Sequence, residues 1–228
     1  MNIVYALTRN VYPWILPSLR SLKEHEPKAR VFILCEDDEI PGLPMECEFI
    51  NVKDQEWFPK DGPNYSNNFS YINLLKCVYP SILRVNKVIH LDIDTIVCDS
   101  LEPFWKTDLT GKWIGAVQEY RGTYRPFGPV YYNMGVALLN LAQMRKDKAE
   151  APMVEYLNTV RQPFADQDAW HKVGLDKIVP VDIRYNENFA TGYTDNPAIV
   201  HYCGIRNWFG NKQMPRSEYL FKYMAPPC

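Results

Sequence analysis

The chain has 228 residues, 46% hydrophobic and 23% charged, with 25 basic and 27 acidic side chains for a formal charge of -2. That length can bury a sizeable core in a single domain spanning 1–228, and the near-neutral balance excludes any overall field for nucleic acid or an anionic membrane. No apolar run reaches membrane-spanning length, and the opening MNIVYALT reads as a strand rather than a signal peptide, so the expected compartment is cytoplasmic.

The apolar run Ile3 to Leu7 predicts a buried first strand, followed by a helix over residues 13–22, where Trp14, Leu19 and Leu22 recur at helical spacing. Arg30 to Cys35 predicts a second strand, so the chain opens as strand, helix, strand, the start of an α/β unit with a parallel sheet. A helix over 71–83 leads into the strand Lys87 to Leu91, which ends at Asp92. Further strands are expected at 113–118, 135–141 and 198–203, and helices at 145–160 and 167–173. Residues 119 to 132, rich in rings, Gly and Pro, predict a structured loop. The six cysteines (35, 47, 77, 98, 203 and 228) form no C-x-x-C pair, so they are expected to be reduced, and a zinc site through His90 or His201 is disfavoured.

Ligands of open α/β sheets bind beyond the carboxyl ends of strands, which is where Asp92-Ile93-Asp94 falls. Two carboxylates one residue apart can hold a hard divalent cation. They can equally cap a turn, and a second such triplet, Asp166-Gln167-Asp168, stands in the same chain. Neither G-x-x-x-x-G-K-[ST] nor G-x-G-x-x-G occurs, so no glycine-rich phosphate loop is present.

The wider segment KVIHLDIDTIVCDSLEPFWKTDL resembles the metal-binding region of glycosyltransferase family eight: an apolar strand, Asp-x-Asp, a short apolar run, then Asp-Ser-Leu and an aromatic. Four more segments follow in that family's order: Tyr132-Asn-Met-Gly through Leu141, Ala165-Asp-Gln-Asp168, Arg184-Tyr-Asn186, and Val200-His-Tyr-Cys-Gly204 through Trp208. The resemblance implies a GT-A fold, an α/β Rossmann-like mixed sheet flanked by helices. It also implies a nucleotide-sugar half over about 1–110 and an acceptor half over about 111–228.

By the same resemblance, Asp92, Asp94 and His201 would hold Mn2+, with Mg2+ as the alternative, and oxygen ligands plus one imidazole suit that choice. Ala6, Thr8 and Asn10 would meet the nucleoside, and Ile93 the donor. The chain has Thr8 where the family commonly has an aspartate and Val11 where it has a tyrosine, with Tyr12 adjacent, which leaves the base open. Lys76, Gly204 and Arg206 would serve the donor, the last in place of a lysine. Glu119, Asn133 and Asp166 would hold sugar hydroxyls, and Gln167 would face the anomeric carbon. The implied activity is a retaining, metal-dependent hexosyl transfer from a nucleotide sugar, UDP-glucose or UDP-galactose, to the hydroxyl of a saccharide or other acceptor. The competing reading is a binding module of the same fold that has lost transfer.

Overall fold

The computed structural model describes residues 1–66, 70–121, 126–205 and 207–224. The chain begins with strand β1 (Asn2–Ala6), a tight 3-10 turn (Arg9–Trp14) and helix α1 (Ile15–His25), then β2 (Arg30–Cys35) and β3 (Glu48–Asn51). A second 3-10 stretch (Tyr71–Val78) runs into the short α2 (Tyr79–Ile82), followed by β4 (Lys87–Leu91), β5 (Thr95–Val97) and α3 (Glu102–Trp105). The later elements are β6 (Ile114–Gln118), β7 (Tyr132–Asn140), α4 (Leu141–Asp147), α5 (Glu150–Thr159) and α6 (Ala165–Gly174). After them come β8 (Ile178–Pro180), β9 (Ile199–His201) and α7 (Ser217–Met224).

Seven strands form one sheet in the order β3-β2-β1-β4-β7-β6-β8. β3, β2, β1 and β4 run parallel, β7 runs against both β4 and β6, and β8 is parallel to β6. β1, β2 and β4 are near-continuous apolar runs because helices cover both faces. Alternation within β1 shows the two faces directly: Val4 enters one core, while Ile3 and Tyr5 enter the other. The first core joins the sheet to the 71–83 segment and α4 to α6, and the second joins it to α1 and α3.

Three expected helices need correction. The helix expected at 145–160 is two helices, α4 and α5, parted where Lys148 takes a left-handed φ of 54°. Asn140 starts α4 earlier than expected, its side chain accepting from the Gln143 amide at 3.1 Å. The segment 71–83 is mostly 3-10, and Pro80 sits in the first turn of a new helix, where its missing N–H leaves no bond unmade. The first helix is preceded by the 3-10 turn over residues 9–14, so its regular part is α1. Three short strands (β3, β5, β8) and α7 lie outside the expected elements.

β5 and β9 form a separate two-stranded ribbon with Thr95 opposite His201. A third core of Ile96, Val200, Tyr202, Trp208, Met214, Leu220 and Tyr223 packs the C-terminal segment against that ribbon. Arg216 closes the arrangement by pairing with the buried Glu187 carboxylate at 2.8 Å. No helix among the described residues is long and apolar enough to cross a membrane.

Candidate active site

Asp92 leaves the end of β4 with its amide bonded to the Gly135 carbonyl on β7 at 2.7 Å, so the first acid is anchored to the central sheet. Thr95 Oγ1 donates to the Asp92 carbonyl at 2.7 Å and closes the turn that brings Asp94 round. The β5–β9 register then carries His201 to the same point from half a chain away. One ligand atom each from Asp92, Asp94 and His201 lies within 4.8 Å of the other two. His201 Nε2 is 3.2 Å from Asp94 Oδ1 and 3.8 Å from Asp92 Oδ2, yet makes no hydrogen bond, leaving a buried nitrogen aimed between two carboxylates.

The hydrogen-bond network decides which His201 nitrogen carries its proton. The Gly135 amide can only donate, and it meets Asn133 Oδ1 at 3.1 Å, which fixes the Asn133 amide. The Asn186 group facing that same oxygen at 2.9 Å must therefore be its Nδ2, so Asn186 Oδ1 faces His201 Nδ1, also at 2.9 Å. Nδ1 accordingly holds the hydrogen and Nε2 keeps a lone pair for a cation, a division of labour common to metal-ligating histidines. Burial disfavours charge on this ring, but Asp94 and Asp92 outweigh it and raise its pKa, as expected where positive charge is favoured. An O, O, N donor set with an orphaned buried nitrogen fits a divalent metal ion.

Gly135 is required by this packing. A Cβ there would lie 2.2 Å from His201 Cε1 and 2.6 Å from Asp92 Oδ2, in space already filled by the ligands.

Lys76, expected to serve the donor, lines the sugar-side cavity. It is buried between the two acids, 3.0 Å from Asp166 Oδ2 and 3.4 Å from Asp92 Oδ1, and 3.3 Å from the Met134 carbonyl. Burial alone would discharge the ammonium, but Asp166 and Asp92 raise its pKa and hold the charge. Burial raises the Asp166 carboxyl above the ordinary value, with Lys76 only partly offsetting it. Burial pushes Asp92 the same way, but Lys76, His90 and His201 reverse it and hold that carboxyl below its usual range. Asp92 also keeps 30% of its side chain open to the cavity, which eases its ionisation. His90, discounted as a metal ligand, supports Asp92 from behind: its Nε2 lies 2.8 Å from Asp92 Oδ1, and Tyr79 Oη holds its Nδ1 at 3.0 Å. Burial and the nearby Lys76 depress its pKa to about 4, so the ring is neutral.

Two cavities meet at the acid cluster. One of about 390 Å³ is lined by Ala6, Thr8, Val11, Ile93, Asp94, Trp14 and Trp208, and shares Asp92, His201 and Gly204 with the other. The second, about 360 Å³, is lined by Lys76, Glu119, Asn133, Asp166 and Gln167, with Phe164 and Phe189. Among the described residues lining the two cavities, carboxylates at 92, 94, 119 and 166 face one ammonium, an excess of negative charge that favours a bound cation.

Asn10 is not among the residues lining either cavity; it is exposed and accepts the Thr8 hydroxyl at 2.5 Å. Tyr12 is also outside both, with its hydroxyl committed to Asp37 at 2.5 Å. Flat surface in the first cavity comes instead from Trp14 and Trp208, whose rings meet edge-on at 6.1 Å, with Phe209 stacked on Trp14. Arg206 lies outside the described residues. Asp166 and Gln167 lie in the first turn of α6, just after its first residue Ala165, whose positive φ of 28° turns the chain sharply there. Gln167 is oriented unambiguously: the Met134 amide donates to its Oε1 at 3.0 Å, and its Nε2 lies 3.3 Å from Glu119 Oε1. Asn133 Nδ2 donates to that same Glu119 oxygen at 2.9 Å, so one chain of amides joins His201 to Gln167.

The family model described as glycosyl transferase family 8 matches residues 2–211. Glycosyltransferase GlyB of Streptococcus pneumoniae is 24% identical over 72% of this chain, although the match spans only 45% of that protein's length. General stress protein A of Bacillus subtilis is 22% identical over 81% of this chain and 73% of its own. Among solved structures, the galactosyltransferase LgtC in complex with donor and acceptor sugar analogues superposes with a TM-score of 0.74 at 22% identity, over 98% of this chain and 95% of that one. The glycosyltransferase GlyE of Streptococcus pneumoniae superposes with a TM-score of 0.74 at 17% identity, over 99% of this chain and 60% of GlyE. These likenesses establish a GT-A type fold, and with the match over nearly the whole length, the chain belongs to glycosyl transferase family 8.

Proposed function

We propose that this chain is a retaining hexosyltransferase that uses a divalent metal, Mn2+ or Mg2+, and a UDP-hexose donor. The observation that carries the reading is the convergence of Asp92, Asp94 and the bare His201 Nε2 at the junction of the two cavities. A cation held there would neutralise a diphosphate and assist its departure. Ala6, Thr8, Trp14 and Ile93 then supply the nucleoside side from the N-terminal half, and Trp208 joins them from the C-terminal segment. With its hydrogen given to Asn10, the Thr8 hydroxyl is left to accept from a base.

On the sugar side, Glu119, Asn133 and Asp166 hold hydroxyls. The Lys76–Asp166 pair keeps that carboxyl in place, since a charged acid is stable in this setting only beside the buried ammonium. Gln167 uses one lone pair of Oε1 on the Met134 amide, and the remaining one serves positive charge developing at the anomeric carbon. LgtC was solved with donor and acceptor sugar analogues, which supports carrying both substrate classes to this chain.

A thermal-shift panel of nucleotide sugars, with and without Mn2+, tests the substrate. The expected result is stabilisation by one UDP-hexose that requires the metal, about 2.7 kcal/mol at a hundredfold excess over Kd. Stabilisation equal with and without Mn2+ would count against metal-bridged donor binding.

A further inference from the structure

The 3-10 stretch Tyr71–Val78 runs for eight residues, and Asn73 is the one among them that is not buried. Hydrogen bonding of the 3-10 type sets residues three apart in line along the helix, so Asn73 lies one turn before Lys76 on the same face. That face looks into the site: Lys76 lines the sugar-side cavity, Ser70 lines the nucleoside-side cavity, and Asn73 lines both. Asn73 therefore stands at their junction, with Asp92, His201, Cys203 and Gly204, which also line both. Its backbone amide is spent on the Ser70 carbonyl at 3.1 Å, but its side-chain amide makes no hydrogen bond among the described residues.

Lys76 has no hydrogen left for a ligand. An ammonium carries three, and Asp166, Asp92 and the Met134 carbonyl, at 3.0, 3.4 and 3.3 Å, account for them. The other side chains at the junction suit an anion poorly. Asp92 only accepts, His201 gives its hydrogen to Asn186, and the Cys203 thiol is a weak donor. A diphosphate joining a nucleoside in one cavity to a sugar in the other has to cross this junction, and its oxygens need donors. Among the described residues lining both cavities, Asn73 is the one whose side chain has strong N–H donors to spare. Resting on the UDP-hexose reading above, we propose that the Asn73 side chain donates to the diphosphate of the donor, taking over the contact expected of Lys76. Lys76 then serves to hold the two acids.

The test is calorimetric titration of UDP, a UDP-hexose and uridine into wild type, Asn73→Ala and Asn73→Asp, with Mn2+ present. Asn73→Ala is expected to weaken UDP about tenfold, the size of one hydrogen bond to a charged group. Asn73→Asp, of the same shape, should weaken it about a hundredfold, because a carboxylate repels the phosphates as well as lacking the hydrogens. Uridine, with no phosphate, should bind all three proteins alike, and the loss for the UDP-hexose should match that for UDP. Melting temperature and Mn2+ affinity should not fall in Asn73→Ala, since no bond within the protein is lost. Unchanged UDP affinity, a loss shared by uridine, a loss confined to the UDP-hexose, or a fall in Tm or Mn2+ affinity in Asn73→Ala overturns the proposal. Each of those results leaves the transferase reading standing as long as wild type binds UDP, whereas wild type that binds neither UDP nor the UDP-hexose overturns both.

Discussion

Gly135→Ala is expected to weaken metal binding sharply at the Asp92-Asp94-His201 cluster while leaving most of the sheet folded. The added carbon would lie 2.2 Å from His201 Cε1 and 2.6 Å from Asp92 Oδ2, and both neighbours are tethered. His201 is held through Nδ1 by Asn186, and the Asp92 amide is bonded to the Gly135 carbonyl itself. Relief therefore comes by turning the ring out of its hydrogen bond or displacing the acid, and either change separates the ligand atoms. We expect Mn2+ affinity to fall by about a hundredfold or more, the upper end of what disturbed ligand orientation does. Overpacking should lower stability by only about 1–3 kcal/mol. Mn2+ titration followed by electron paramagnetic resonance checks the first figure and denaturant unfolding the second. Wild-type affinity in a folded Gly135→Ala protein would show that these side chains do not hold the ion.

Lys76→Met is expected to be the most destabilising single change near the site, and its effect should depend on pH. It removes the ammonium from between two acids. Stranding a buried charge costs about 3–5 kcal/mol. Asp92 is partly open to the cavity, so most of the penalty falls on Asp166, and the low end of that range applies. At about 2–4 °C per kcal/mol for a chain of this size, the Tm deficit at pH 8 is about 6–12 °C. Burial already raises the Asp166 carboxyl, and without Lys76 it rises further. A carboxyl with a folded pKa above its unfolded value binds its proton more tightly when folded. Stability is then retained at low pH and lost as pH climbs through the folded value. The deficit should therefore shrink between pH 8 and pH 5, as Asp166 takes up a proton. Thermal melts of both proteins across that range test this, and a deficit independent of pH would mean that lost packing, not the stranded acid, is responsible.

The parallel half of the fold was legible because buried strands in such a sheet are unbroken apolar runs, and β1, β2 and β4 all have that form. The place of Asp92 followed from the same pattern. Three- and four-residue strands such as β5 and β8 are too short for any periodicity to register, and β5 owes its pairing to β9, far along the chain. The break at Lys148 was hidden because the left-handed residue is a lysine rather than a glycine. In the site, acids and the histidine stood out by type and spacing, and the structure gathers them. What spacing could not reveal is how the amides of Asn133, Asn186 and Gln167 are oriented, since that depends on backbone donors such as the Gly135 amide. Lys76 was noticed as a cation, but its burial between two carboxylates is a three-dimensional fact. The positions of Asn10 and Tyr12 outside the two cavities are likewise three-dimensional, because their side chains are committed to Thr8 and Asp37.

Donor turnover in wild type and Asp94→Asn, each with Mn2+ and with chelator, tests the central claim most directly. The amide keeps the shape of Asp94 and its place opposite His201, but lacks the charge that helps hold a cation. The account predicts UDP-hexose hydrolysis by the wild type that stops on chelation, and a loss of about a thousandfold in Asp94→Asn, comparable to removing one strong electrostatic contact from a transition state. Equal turnover by the two proteins, or wild-type turnover indifferent to chelation, would contradict it.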